Sequence, residues 1–416
     1  MRILWVTNVP FAYHNEMLGR PNGAVGGGSW LYAAYDAVRK NTSIELHIVT
    51  SCPVEKHMKQ QFENSWFHIL PGGNMKTYDH TSSRNRQMCE QLRAEISPDI
   101  VVIWGTESKL AYLISEVFRS MPILVYMQGV IQSIYQRYYD GVPFSCRYRT
   151  WRDFINLFDR HEQYQNFKAQ TKLEQKILRN AKAAIVENDW CEDQCKMINP
   201  DLVFFRNKLP IRADYFNYDW NIGEIKRHTI FVNGGGYPIK GHHILYQALA
   251  IVKKVYPDVK VYIPGNNYLK AYGDFKHRTG YFRWLQQIVD KYQLSENIEF
   301  TGVLTPAQMA RYIQQCNVYV MPSVCENHSA SLIEALIVGA PSVASLVGGV
   351  GTLIENKKNG IIYNSVDYVS LAGNIVRVFS DEKLALTLSE NARKIRPLRQ
   401  GDFGREMDLI YAELAK

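Results

Sequence analysis

Two carboxylates stand eight positions apart in Pro322-Ser323-Val324-Cys325-Glu326-Asn327-His328-Ser329-Ala330-Ser331-Leu332-Ile333-Glu334-Ala335, and the pattern turns from loop to helix between them. Val318-Tyr319-Val320-Met321 reads as a short buried strand that Pro322 stops, and Ser329 to Val338 reads as a helix. The first N–H groups of a helix have no partner inside it, so the start of this one is an anion site with a glutamate on either side. The simplest chemistry for that arrangement is binding of a nucleotide-sugar. Its diphosphate would lie on the helix start, held by the backbone of Ser331, Leu332 and Ile333, with ribose on Glu334 and the sugar on Glu326.

Two readings stay open on these residues alone. Ser331-Leu332-Ile333-Glu334 also fits a capping box, in which the glutamate only folds back onto a backbone N–H, and Glu326 would then be an ordinary loop acid. Glu326 through Glu334, however, is similar to the E-x7-E pattern of retaining glycosyltransferases of family 4. Leu332-Ile333-Glu334-Ala335-Leu336, Gly339-Ala340-Pro341, Gly348-Gly349 and Asn359-Gly360 follow in the order that family shows. The resemblance implies an α/β protein of the GT-B fold, two Rossmann-like domains with parallel sheets facing a central cleft. It also implies transfer of a hexosyl group from a UDP- or GDP-sugar with its configuration kept.

Three further segments bear on that expectation. Phe231-Val232-Asn233-Gly234-Gly235-Gly236-Tyr237-Pro238-Ile239-Lys240-Gly241 is a strand ending in glycines, with a lysine just ahead of a helix, where phosphate oxygens would meet the helix start. Lys240-Gly241 resembles the family's phosphate-binding lysine, and Gly236 belongs to the same loop. The arginine usual five or six positions earlier is replaced by Gly234 and Gly235, so Lys240 is left as the main cation, with Lys208 and Arg212 as loose candidates for a second. Gly23-Ala24-Val25-Gly26-Gly27-Gly28-Ser29 leads into another helix and is no dinucleotide fingerprint, because G-x-G-x-x-G does not follow a strand directly. Gly27 and Gly28 match best the Gly-Gly pair that the family places near the donor diphosphate and acceptor. Finally, Gln128 stands where the family tends to carry a histidine. An amide is no base at neutral pH, so the proton is expected to leave through the donor's own phosphate.

The elements that must position these residues form two series. Apolar runs of strand length lie at Ile3–Val6, Ile44–Val49, Phe67–Leu70, Ile100–Trp104, Ile123–Met127 and Ala183–Val186, and again at Thr229–Val232, Val259–Ile263, Ile298–Phe300, Val318–Met321, Ser342–Ala344 and Ile361–Tyr363. Helical stretches such as Trp30–Arg39 and His243–Tyr256 separate them, which predicts parallel sheets with ligands at the carboxyl ends of the strands. The expected division is an acceptor-side domain over 1–210, rejoined by a terminal helix near 400–416, and a donor-binding domain over 211–399.

Composition excludes several other classes. With 46% hydrophobic and 21% charged residues, and no apolar run near the roughly 18 residues that cross a bilayer, a cytoplasmic protein is expected. Seven scattered cysteines suggest no disulfide or zinc framework, and no metal or cofactor is expected. The net charge of +8 favours anionic partners. No nucleic-acid motif appears. Basic residues interleaved with Tyr138, Tyr139, Phe144, Tyr148, Trp151, Phe154, Phe158 and Phe167 over 137–182 suit an anionic membrane surface, peripheral on the inner face of the membrane, which would fit a lipid-linked saccharide acceptor in capsule, lipopolysaccharide or exopolysaccharide assembly. The rival expectations are a noncatalytic nucleotide-sugar-binding protein and a GT-B epimerase or phosphorylase.

Overall fold

A computed structural model describes residues 1–20, 29–74, 77–147, 160–232, 234–270 and 280–416. The chain divides into two units. One comprises 1–132, 166–210 and 400–416, and the other 133–165 and 211–399.

The first unit is built on eight strands: β1 (Arg2–Thr7), β2 (Glu45–Ser51), β3 (Met58–Phe62), β4 (Ser65–Leu70), β5 (Ile100–Trp104), β6 (Ile123–Tyr126), β7 (Ala183–Ile185) and β8 (Val203–Phe205), in the spatial order β3-β4-β2-β1-β5-β6-β7-β8. All pairs are parallel except β3 with β4. Runs such as Ile3-Leu4-Trp5-Val6 and Ile100 to Trp104 are buried on both faces, as strands covered by helices on each side must be. The two strands without a counterpart in the sequence reading are edges. Met58-Lys59-Gln60-Gln61-Phe62 is largely exposed, and Val203-Phe204-Phe205 is three residues long. The terminal helix Phe403–Leu414 packs in this unit against the helix Ser29–Val38, and Trp5 Nε1 donates to Tyr411 Oη at 3.0 Å.

The second unit carries β9 (Thr229–Val232), β10 (Lys260–Pro264), β11 (Ile298–Gly302), β12 (Val318–Met321), β13 (Ser342–Leu346) and β14 (Ile361–Asn364), all parallel, in the order β11-β10-β9-β12-β13-β14. Each sheet therefore reverses its winding once, at β1/β5 in the first unit and at β9/β12 in the second. Loops leaving the carboxyl ends of strands at such a reversal splay apart and leave a crevice for ligands.

The first unit also holds a line of imidazoles. His47 Nε2 lies 3.0 Å from Glu45 Oε1, His47 Nδ1 3.0 Å from His68 Nε2, and His68 Nδ1 3.1 Å from His57 Nε2. Burial depresses His68 to about 2 and His14 to about 4. A histidine neutral in the fold but charged near pH 6.5 when unfolded takes up its proton in the unfolded state first, so stability falls as pH drops below 6.5 towards the folded value. For His14 the loss between pH 6.5 and 4.5 is about 2 kcal/mol. Urea unfolding at the two pH values should show His14→Asn losing that much less than the parent protein.

Candidate functional site

The reversal in the second unit gathers most of the residues singled out by the sequence. Lys240 follows β9 in a turn of 3-10 helix, Pro238–Lys240, and Glu326 follows β12. The two loops are joined by Val324 N–H donating to Ile239 O at 2.9 Å. Lys240 Nζ donates to Glu326 Oε1 at 2.7 Å, and Ser323 Oγ donates to the same oxygen at 2.8 Å. Burial alone would lower the Lys240 pKa. The Glu326 carboxylate outweighs that effect, and the pKa is raised. Gly349 N–H donates to Glu326 O at 3.3 Å, tying the Gly348-Gly349 segment to the glutamate loop.

The helix Ala330–Val338 has Ser329 as its N-cap. Leu332 and Ile333 N–H both donate to Ser329 O at 3.1 Å, and Leu332 N–H also meets Ser329 Oγ at 3.4 Å. The expected backbone donors thus shift: the N–H groups ahead of the first helical bonds belong to Ala330 and Ser331. The capping-box alternative fails for the same reason. With Ser329 as cap, Glu334 lies beyond the third helical position and cannot fold back.

Glu334 instead faces the segment that opens the second unit. Arg212 Nη2 lies 3.3 Å from Glu334 Oε1 and 2.9 Å from Tyr215 Oη. Burial pushes the Glu334 carboxyl up to about 7, while Arg212 and the Tyr215 hydroxyl pull it down. Arg212, a loose candidate for a diphosphate cation, is thereby engaged with the expected ribose-binding acid. Position 234 itself has no room for the family's arginine. A Cβ on Gly234 would sit 2.5 Å from Pro264 O, a backbone atom that cannot step aside.

If Glu334 holds a ribose, as the sequence leads us to expect, an acid half-charged near neutrality binds the hydroxyls best when ionised, and affinity for UDP-glucose should weaken as pH falls below 7. The loss approaches tenfold per pH unit at the limit, about 1.4 kcal/mol. Calorimetric titration between pH 8 and 5.5 checks this, and Glu334→Gln should flatten the profile. The diphosphate diester of the ligand does not itself titrate in that range.

Sequence reasoning missed two residues here. Tyr215 is fully buried against Glu334. Arg399 is 8% exposed, and its Nη2 contacts His328 Nε2 at 2.7 Å. A guanidinium can only donate, so His328 accepts at Nε2 and carries its ring proton on Nδ1. Neither contact leaves a local signature, because the partners lie 119 and 71 positions away in the chain.

Elsewhere the expected residues distribute as follows. Gly236 is packed under Tyr268, whose Cδ1 lies 2.7 Å from where a Cβ would stand. Gln128 belongs to the first unit, beside Asn8, whose Nδ2 is 3.4 Å from Gln128 Oε1. Gly27 and Gly28 lie outside the described residues, as do Tyr148, Trp151, Phe154 and Phe158 of the basic-aromatic stretch. Tyr138 and Tyr139 are buried rather than on the surface, whereas Phe144 is exposed. His242 and His243 diverge, to Tyr268 Oη and to Tyr281 Oη with Asp140 O. Among the described residues no group of three or more His, Cys, Asp or Glu is placed to hold a metal ion, and no helix is long and apolar enough to cross a membrane.

Residues 220–395 match the family described as "Glycosyl transferases group 1". A D-inositol 3-phosphate glycosyltransferase of Corynebacterium urealyticum is 26% identical over 156 residues, 37% of this chain and 35% of that one. The chain thus spans about a third of that relative's length. Two solved structures extend over nearly the whole chain. A sucrose-phosphate synthase from Thermosynechococcus elongatus superposes with a TM-score of 0.71 at 17% identity, covering 99% of this chain and 98% of the other. Anabaena HepE in complex with UDP and glucose gives 0.66 at 15% identity, covering 99% of each. Residues 220–395 are therefore a glycosyl transferases group 1 region, set in a chain that has the GT-B fold from end to end.

Proposed function

We propose that the protein is a retaining glycosyltransferase of family 4 that moves a hexosyl group from a nucleotide-diphosphate sugar to a saccharide acceptor. The observation that carries this reading is the convergence, at the β9/β12 reversal, of Lys240 on Glu326 and of Arg212 on Glu334, with the N–H groups of Ala330 and Ser331 in the same loop and helix. That set supplies cation, helix start and two carboxylates in the order that diphosphate, sugar and ribose require. The HepE structure, which holds UDP and glucose on the same fold, supports a donor of this class.

In this account Lys240 and the helix N–H groups stabilise charge as it grows on the leaving diphosphate, without a metal ion. Glu326 orients the sugar. The bond from the anomeric carbon to the diphosphate oxygen breaks while the acceptor oxygen bonds to the same face of that carbon, and the acceptor's proton passes to the departing phosphate. Gln128, in the first unit, can offer hydrogen bonds but no base. The acceptor is a saccharide carried on a lipid, in the assembly of a cell-surface polysaccharide on the cytoplasmic side of the membrane. The net charge of +8 and the exposed Phe144 favour contact of 137–182 with anionic lipid.

Incubation with a panel of UDP-, GDP- and ADP-sugars tests the central step. Slow release of nucleoside diphosphate by one donor is the expected result. Binding without release would instead favour a nucleotide-sugar-binding protein, and conversion of the sugar without loss of nucleotide would favour an epimerase.

A further inference from the structure

The winding of the first sheet reverses at β1/β5, and three polar side chains leave the carboxyl ends of neighbouring strands there: Asn8 after β1, Glu107 after β5 and Gln128 after β6. They converge. Asn8 Nδ2 lies 3.3 Å from Glu107 Oε2 and 3.4 Å from Gln128 Oε1. An ideal Cβ on Gly105 would stand 2.1 Å from Glu107 Oε2 and 3.0 Å from Gln128 Oε1, so both side chains reach over the same bare backbone. Both hydrogen bonds from Asn8 are longer than the usual 2.7–3.2 Å, about as weak as such bonds get, so a ligand hydroxyl can replace them at small cost. Asn8 Oδ1 is buried with no hydrogen-bond partner among the described residues.

A second acid nearby shows what a structural carboxylate looks like in this fold. Glu174 is fully buried and saturated: Thr106 Oγ1 donates to it at 2.7 Å, Ile131 N–H at 3.0 Å and Gln132 N–H at 3.1 Å, which caps the helix Ile131–Arg137. Glu107 also has three partners, Asn8 and the backbone at Gly129 and at its own position, but it is less completely buried than Glu174 and its bond from Asn8 is long. It caps no helix and pairs with no cation among the described residues. An acid, an amide and a second amide converging at a sheet reversal offer acceptors and donors in the mixture that a ring of vicinal hydroxyls needs.

We propose that Asn8, Glu107 and Gln128 form a hydroxyl-binding clamp for the acceptor saccharide, with Glu107 as the residue that positions the acceptor and selects it. The name acceptor rests on the transferase reading; the clamp itself rests on the geometry of the first unit. Burial, with a smaller push from the charge on Glu174, raises the Glu107 carboxyl to about 7. A carboxylate accepts two hydroxyl hydrogen bonds where the protonated acid must donate one, so saccharide binding weakens as pH falls through 7. Glu174 is the charged group that acts on Glu107, while Asn8 and Gln128 are neutral.

Saturation-transfer NMR on the full chain, with methyl glycosides of glucose, galactose, mannose and N-acetylglucosamine as probes, tests this. At least one glycoside should bind the parent protein, and Glu107→Gln should weaken it about tenfold or more. The weakening on acidification should be absent in that variant, whereas its calorimetric affinity for UDP-glucose should stay the same. Asn8→Ala, checked for an unchanged melting temperature, should weaken the glycoside in the same direction. Equal glycoside binding by Glu107→Gln, or none by the parent protein, overturns the clamp. Absence of nucleotide release from every donor would overturn the transferase reading and leave glycoside binding to decide this one.

Discussion

Replacing Lys240 by alanine is expected to slow nucleoside-diphosphate release about 100- to 1,000-fold, the scale on which removal of one preorganised charge-stabilising donor acts. Lys240 pairs with Glu326 in the loop that leads into the helix, and no arginine can be fitted at position 234 to take its place. The same change leaves Glu326 with Ser323 Oγ as its remaining side-chain partner in a site where its side chain is 13% exposed. Truncating one member of such a pair costs about 3–5 kcal/mol when burial is complete and less in proportion to residual exposure. Glu326→Ala strands Lys240 in the same way. The double variant removes both charges and should be more stable than the sum of the single losses implies. Release rates and urea midpoints for the two single variants and the double variant check both parts. If rates stay at the parent level in Lys240→Ala, the diphosphate is not where this account puts it.

Gly241→Ala is expected to be the most damaging single-methyl change in the second unit. Gly241 has φ +70, in the left-handed region, and an added Cβ would lie 1.8 Å from Pro322 O and 2.6 Å from its carbonyl carbon. Neither atom belongs to a movable side chain. The backbone after β12 would have to shift, and it carries Glu326 four residues on. A loss of about 3 kcal/mol or more follows from overpacking combined with the left-handed conformation. For a domain of this size that lowers the melting temperature by roughly 2–4 °C per kcal/mol. Gly373→Ala supplies the contrast. Gly373 lies within the helix Tyr368–Ser380 with nothing within 4 Å of its added Cβ, so the same methyl should stabilise by about 0.5–1 kcal/mol. Calorimetric melting of the two variants side by side reads the difference.

The strands that carry the site were legible because they are buried on both faces, and such strands read as unbroken apolar runs. Val318-Tyr319-Val320-Met321 and Thr229-Ile230-Phe231-Val232 appear with the bounds expected of them. Met58–Phe62 was not legible, since an antiparallel edge strand with two glutamines and a lysine has no core face to declare itself. Lys240 and Glu326 were legible from spacing, but their ion pair was not. It depends on two loops meeting across a sheet reversal, which only the strand order sets. The helix start was legible too, since Ser329 to Val338 reads as a helix and Ser329 is its N-cap, whereas the capping-box alternative at Ser331 fails because Glu334 lies on Arg212 and Tyr215. Glu107 carried no motif at all. Its significance comes from β1, β5 and β6 being neighbours, although the ends of β1 and β5, Thr7 and Trp104, lie 97 positions apart in the chain.

The position of a bound nucleotide-sugar decides the proposed function, and a crystal structure of the protein soaked with UDP-glucose or GDP-mannose measures it directly. The predicted result is diphosphate oxygens about 3 Å from the N–H groups of Ala330 and Ser331 and from Lys240 Nζ, with ribose hydroxyls on the Glu334 carboxylate. A nucleotide bound away from the β9/β12 reversal, or a ribose turned from Glu334, would contradict it.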